Sequence, residues 1–206
     1  MLISAYLKAF RILKDKEIKE FAIKSLGKII KIHFINNDLF HSGGVKALLD
    51  DYIYLIEAII AAYEVTEDTS YLSKSDKLMG ICIERFWDRD DGGFFDTDDA
   101  VLGLRLKGIE DIPHPSANSL GIILLLKLYH LTNKGFYLQY AEKALRAFSL
   151  RAKDMGMHSA CYYAALDAYF HMLRLTLYTS PDSELTVAAL SSFSPYTSIA
   201  YGEDRG

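Results

Sequence analysis

Apolar residues recur every three or four positions through most of this chain, and the polar gaps between those runs come in two sizes. Around Leu55, Ile56, Ile59, Ile60 and Tyr63 the spacing is that of one face of an α-helix. The same period predicts paired helices over roughly 1–13 with 16–33, 51–66 with 69–86, and 117–132 with 135–151. Within each pair the gap is a short polar turn, and the three turns follow one template. AFRILKDKEI (9–18), AYEVTEDTSY (62–71) and LYHLTNKGFY (128–137) each place an aromatic residue two positions before an aliphatic one, then a polar turn, then a new apolar period. Phe10, Tyr63 and Tyr129 correspond, as do Ile12, Val65 and Leu131. The repeating unit is therefore a helical hairpin.

Between hairpins the chain spends longer stretches, about 34–50, 87–116 and 152–159. Each leaves a second helix and enters the next first helix, so all three are expected at one end of the array. Long linkers in a compact helical domain are usually functional. The first helices also open on capping residues there: Asp50 or Asp51, Ser116 and Ser159. Helix N-termini aimed at one mouth would suit a polar or anionic ligand. The last thirty residues change character. RLTLYTS (174–180) and YTSIAYG (196–202) read as strands, with a helix over 181–190 opened by Asp182 or Ser183. The expected fold is thus all-α, a hairpin array over 1–173, with a small β-α-β appendage over 174–206 that carries no Gly-rich phosphate loop.

Composition narrows the partners. With 206 residues, half of them hydrophobic, the chain can bury one substantial core. A net charge of -4 offers no electrostatic basis for binding nucleic acid or an anionic membrane. The longest apolar run, Leu120 to Leu126, is too short to span a bilayer. The N-terminus has no secretory pattern, and Cys82 and Cys161 form no CxxC pair, so a cytoplasmic protein with two reduced thiols is expected.

The stretch ERFWDRDDGGFFDTDD (84–99) interrupts the helices with a polar, ring-rich loop. As a calcium loop it fails at two positions, because Gly92 offers no side-chain oxygen and Asp99 replaces the bidentate Glu. No metal is expected. The Gly pair instead allows a reversal in which Phe94 and Phe95 fold back on Phe86 and Trp87. Other candidates have two readings each. Asp51 is a helix cap or a cavity-facing carboxylate. Glu57 lies on an apolar helix, either at a solvated edge or on a buried face where an unpaired charge would be costly. Asp111 and His114 occupy a loop stiffened by Pro113 and Pro115, while Ser116, Asn118 and Ser119 surround one helix start as cap groups or ligand contacts.

Four stretches together resemble a known family: LLDDYIYLIEAIIAAYEVTEDTSYL (48–72), ERFWDRDDGGFFDT (84–97), PSANSLGIILLLKLYHLT (115–132) and HSACYYAALDAYF (158–170). They are similar to the C-terminal region of the spermatogenesis-associated protein 20 and YyaL-like proteins, with Ala117 where that family has Gly. The resemblance implies an (α/α)6 barrel like those of six-hairpin glycosidases and N-acylglucosamine 2-epimerases, after a thioredoxin-like domain. Here no such domain is expected before Met1, and three hairpins plus one helix are expected where a closed ring needs six. A partial barrel that self-associates, as a homodimer or larger, is the expectation. The resemblance further implies a carbohydrate ligand and no cofactor. Asp51, Asp111 and His158 are then the catalytic candidates of an isomerase or hydrolase. Tyr52, Glu57, Trp87, Phe94, Phe95, His114, Ser116, Asn118 and Ser119 are the substrate-binding candidates. The rival reading is a non-catalytic scaffold or ligand-binding module.

Overall fold

The computed structural model describes residues 1–181, 183–192 and 196–202. Three hairpins follow in order: α1 (Leu2–Leu13) with α2 (Lys16–His33), α3 (Leu49–Thr66) with α4 (Thr69–Phe86), and α5 (Ala117–Thr132) with α6 (Gly135–Met155). A seventh helix, α7 (Ala160–His171), enters through a 3-10 turn over Gly156–Ser159. Each hairpin closes in the same way. Lys14, Glu67 and Asn133 adopt left-handed backbones (φ 59°, 63° and 54°) and donate their N–H groups to the carbonyls of Phe10, Tyr63 and Tyr129. The aromatics that define the repeat are therefore the residues whose carbonyls the turns satisfy. Asp15 and Asp68 then cap the second helices by accepting from Glu17 and Ser70 N–H at 2.9 and 2.8 Å.

Burial sorts the helices into two layers. α3 is buried nearly all round, through Tyr52, Ile53, Ile56, Ile59, Ile60 and Tyr63, and α5 through Ile122, Leu124, Leu125, Leu126 and Leu128. A helix that is apolar on every side must be covered on every side. α4 and α6 bury one stripe each, such as Leu78, Met79, Cys82 and Phe86. The first helices form an inner row, α1 beside α3, α3 beside α5 and α5 beside α7, and the second helices flank it.

The linkers differ from a plain-loop expectation. Residues 34–46 form a small meander: β1 (Phe34–Ile35), β2 (Asp38–Ser42) and β3 (Val45–Lys46), antiparallel in that order. Asn36 and Asn37, at φ 52° and 70°, make its first reversal. The expected third linker is mostly helix, because α6 continues to Met155. Ser159 does not cap α7: its hydroxyl donates back to the carbonyls of Ala152 and Gly156, both at 2.9 Å. After Asp99 the chain makes a tight turn that pairs Val101 with Leu104.

The C-terminal segment pairs β4 (Leu173–Leu177) in parallel with β5 (Thr197–Tyr201), and α8 (Glu184–Ser191) lies between them in sequence. Ser183 caps α8 by accepting from Thr186 N–H at 3.1 Å, whereas Asp182 lies outside the described residues. This β-α-β unit packs on α1, α3 and α5.

Candidate functional site

The linkers do meet at one end of the inner row. Leu49 N–H donates to the Asp96 carbonyl at 3.1 Å, tying the start of α3 to the 87–116 loop. Asp111 N–H donates to the His158 carbonyl at 2.7 Å, tying that loop to the entry of α7. Arg85 joins the meander through Asp38 at 2.6 Å.

The acidic, ring-rich loop is a packed corner. Trp87 and Phe94 pair as a β-bridge with their rings edge-on at 4.9 Å, and Phe95 N–H donates to the Phe86 carbonyl at 2.7 Å. Asp88 Oδ1 accepts the N–H groups of Asp90 and Asp91, while Oδ2 holds Lys107 at 2.5 Å. Burial alone would raise the Asp88 carboxyl, but Lys107 and those N–H groups hold it below the ordinary carboxylate range. Among the described residues no group of three or more His, Cys, Asp or Glu side chains is placed to hold a metal ion. Gly93 sits at φ 78°, and an added Cβ would lie 2.6 Å from the Phe148 ring. Gly93→Ala is expected to cost roughly 2–3 kcal/mol, read as a lower urea midpoint.

The cleft with both apolar walls and converging charges lies on the inner row. Near the mouth, a chamber of about 310 Å³ is bounded by Ser4, Lys8, Tyr54, Glu57, Pro115 and Cys161. It shares Lys8, Glu57, Leu120 and Ile123 with a second chamber of about 450 Å³, which runs along α1, α3 and α5 to the β-α-β unit. Glu57 stands where they meet, accepting from Ser4 Oγ at 2.8 Å and paired with Lys8 at 3.0 Å. Further in, the fully buried Glu64 carboxylate takes Arg11 on one oxygen and Lys127, at 2.7 Å, on the other. Ser4 with Glu57 and Arg11 with Glu64 are each 53 residues apart, the offset that also carries Phe10 to Tyr63. Equivalent positions of adjacent repeats thus face each other across the row. The Tyr54 hydroxyl bonds His114 Nδ1 at 2.8 Å, and burial together with nearby Asp50 and Glu57 pushes it well above the ordinary phenol range. Two larger depressions, about 590 and 560 Å³, lie outside on the corner loop and α6. In the first of these Arg151 and Lys107 are already paired with Glu110 and Asp88.

Over 147 residues the chain is 31% identical to spermatogenesis-associated protein 20 of Rattus norvegicus, a match covering 69% of this chain and 18% of that protein. The human protein of the same name is 32% identical over 129 residues, covering 61% of this chain and 16% of its own length. The family these matches support is that of spermatogenesis-associated protein 20. An uncharacterised protein of Caenorhabditis elegans is 30% identical over 107 residues, covering 52% of this chain and 15% of that protein. The chain therefore spans less than a fifth of the length of these curated relatives. No family model matches it.

In this structure the residues nominated from sequence divide sharply. Asp111 accepts from Ser116 N–H at 2.9 Å and Cys161 N–H at 2.8 Å, one on each oxygen, so it pins the α5 and α7 entries together. Asp51 does not cap α3 from outside: it reaches back from inside the first turn to accept Leu48 N–H at 3.0 Å. Its other partner is His41, at 2.9 Å, a pairing not anticipated from sequence. His158 is exposed. No side-chain hydrogen bond joins Asp51, Asp111 and His158 among the described residues.

Of the binding candidates, Tyr52, Trp87 and Phe94 are core residues. Tyr52 accepts from Arg85 at 3.2 Å, away from the cleft. Phe95 lies beneath Arg105, 4.3 Å from its ring centre. Ser116, Asn118 and Ser119 are buried and bonded within the fold, Ser116 donating to Ser119 Oγ at 2.7 Å. Glu57 lines the cleft, and His114 reaches its mouth through Tyr54. Arg11, Tyr54, Glu64 and Lys127 were missed. The available signal was a charge inside a helix otherwise apolar on every side, as in AAYEVT and LLLKLY. Among the described residues no helix is long and apolar enough to cross a membrane.

Proposed function

We propose that the protein is a ligand-binding module of the α/α-barrel type, holding a small polyhydroxylated, carbohydrate-class molecule in the cleft between α1, α3, α5 and α7. The observation that carries this reading is Glu57. It is a carboxylate with only 16% of its side chain exposed, set between two apolar-walled chambers and beside the Tyr54 ring. Mostly apolar walls with a few oriented polar groups are what small-molecule sites present. A sugar offers the matching surface, hydroxyls for Glu57 and Lys8 and C–H faces for the ring and the aliphatic wall. Binding is preferred to turnover because Asp51 and Asp111 hold backbone N–H groups rather than facing one another across a substrate.

Titration calorimetry of the full chain against a panel of monosaccharides tests this. At least one is expected to bind, and Glu57→Gln is expected to weaken it by about tenfold, the value of one charged hydrogen bond. A panel without a binder, or affinity indifferent to Glu57→Gln, removes the proposal. Self-association is a second element of the reading, supported by apolar side chains exposed on α1 and α2, among them Leu2, Ile12, Leu13, Phe21 and Ile32. Sedimentation as a monomer at micromolar concentration would exclude it.

A further inference from the structure

We propose that the inner end of this cleft is a carboxylate-binding subsite formed by Arg11 and Lys127, so that the preferred ligand is a sugar acid and not a neutral sugar. The inference rests on the reading of the cleft as a carbohydrate site and specifies its chemistry.

Charge comes first. The inner chamber is lined by three cations, Lys8, Arg11 and Lys127, and by two carboxylates, Glu57 and Glu64. Lys8 and Glu57 answer each other near the mouth. Among the described residues that leaves Arg11 and Lys127 sharing Glu64, one positive charge in excess, with side chains 14% and 17% exposed. An uncompensated charge so far from water is costly, and a monoanion brought to the same place removes the cost. His130 does not supply the balance. Its Nδ1 is bonded to Ser198 Oγ at 2.9 Å, and burial followed by Arg174 lowers its pKa, which disfavours further positive charge.

Hydrogen-bond supply points the same way. A lysine ammonium has three donors, and Lys127 places one on Glu64. Arg11 reaches Glu64 through one terminal nitrogen, while its buried Nε has no partner among the described residues. Glu64 cannot absorb these donors, because both its oxygens are occupied and Oε1 also accepts the Ile199 N–H at 3.4 Å. A second carboxylate beside Arg11 and Lys127 would meet them, with Ile60, Leu120, Ile123 and Leu124 packing against the body of the ligand. The count favours a carboxylate over a phosphate monoester, whose near-double charge would leave the chamber negative.

Calorimetric titration of the full chain with glucose, glucuronate, gluconate and glucose 6-phosphate separates the alternatives. Expected is binding of glucuronate or gluconate at least tenfold tighter than glucose, with Lys127→Met lowering the acids to the level of glucose. Because Lys127 also holds Glu64, that variant can unfold, and a second one is needed. Ile123→Trp fills the cleft while keeping both cations in the chain and is expected to abolish binding of every probe. Equal affinity for acid and neutral sugar overturns the subsite while the carbohydrate reading stands. Tighter binding of the phosphate overturns the carboxylate assignment. Acid preference that persists in folded Lys127→Met, or acid binding that survives Ile123→Trp, overturns the location. No binding by any probe overturns the subsite together with the reading beneath it.

Discussion

Asn118→Ala is expected to destabilise the protein by about 3–5 kcal/mol, a large share of the 5–15 kcal/mol that typically separates folded from unfolded states. Asn118 is fully buried at the start of α5. Its Oδ1 accepts Phe94 N–H at 2.7 Å, and its Nδ2 donates to the carbonyls of Phe94 and Gly108, both at 2.9 Å. One side chain thus satisfies three backbone groups in two strands of an irregular loop that has no ladder of its own. Alanine would leave both Phe94 groups inside the fold without water or partner and strip the half-buried Gly108 carbonyl of its donor. Asn118→Asp separates the contributions: it keeps the acceptor for Phe94 N–H but sets a carboxylate against two carbonyl oxygens. At neutral pH it should be at least as damaging as alanine. In acid it should recover part of the loss, since the protonated carboxyl regains one donor. Urea unfolding at pH 7 and pH 4 measures both variants. A loss below about 1 kcal/mol for Asn118→Ala would mean that the corner is held by its rings alone.

This residue also shows where sequence reading succeeds and where it stops. The hairpins were legible because a helix declares itself within its own residues, through period and caps. The three repeated turns reinforced one another, down to the aromatics whose carbonyls they satisfy. The 34–46 meander was not recognised, although Asn36-Asn37 and Gly43-Gly44 between short β-prone runs are hairpin signals. The site was harder for a different reason. Asp111, Ser116 and Asn118 have the composition of ligand contacts, but short polar side chains at a helix start serve backbone N–H groups equally well. Only the direction of each side chain distinguishes the two uses. The charges that do line the cleft come from three helices, so no local window contains them. What sequence does hold is the repeat register. Arg11, Glu64 and His130 each follow the repeat's aromatic residue, and they fall at one level of the inner row once the hairpins are aligned. Aligning the repeats by that residue would have set Arg11 beside Glu64, the ion pair at the centre of the cluster.

Glu64→Gln is the change expected to expose how that cluster is held. Glutamine keeps the volume and one acceptor but removes the only negative charge that, among the described residues, is bonded to Arg11 and Lys127. Two largely buried cations would then face each other unpaired, and breaking a buried ion pair from one side typically costs about 3–5 kcal/mol. The pH dependence follows from the direction of the shift. Burial alone would raise the Glu64 carboxyl, but Lys127 and Arg11 outweigh it, so its pKa in the folded protein is lowered. A carboxylate of this kind stabilises the fold fully above its unfolded pKa of about 4.3, and the contribution is lost as pH falls through the lower folded value. The gap between wild type and Glu64→Gln should therefore be widest near neutrality and narrow progressively below about pH 4.3. A gap that stays constant would assign the loss to packing or hydrogen bonding instead of charge. Local effects should accompany the global one, because Ile199 N–H donates to Glu64 Oε1 at 3.4 Å and the Tyr201 hydroxyl donates to the Glu64 carbonyl at 2.8 Å. Hydrogen exchange at Ile199 should quicken in Glu64→Gln beyond what the global stability predicts, since the same carboxylate that holds the two cations also seats β5 against the inner row.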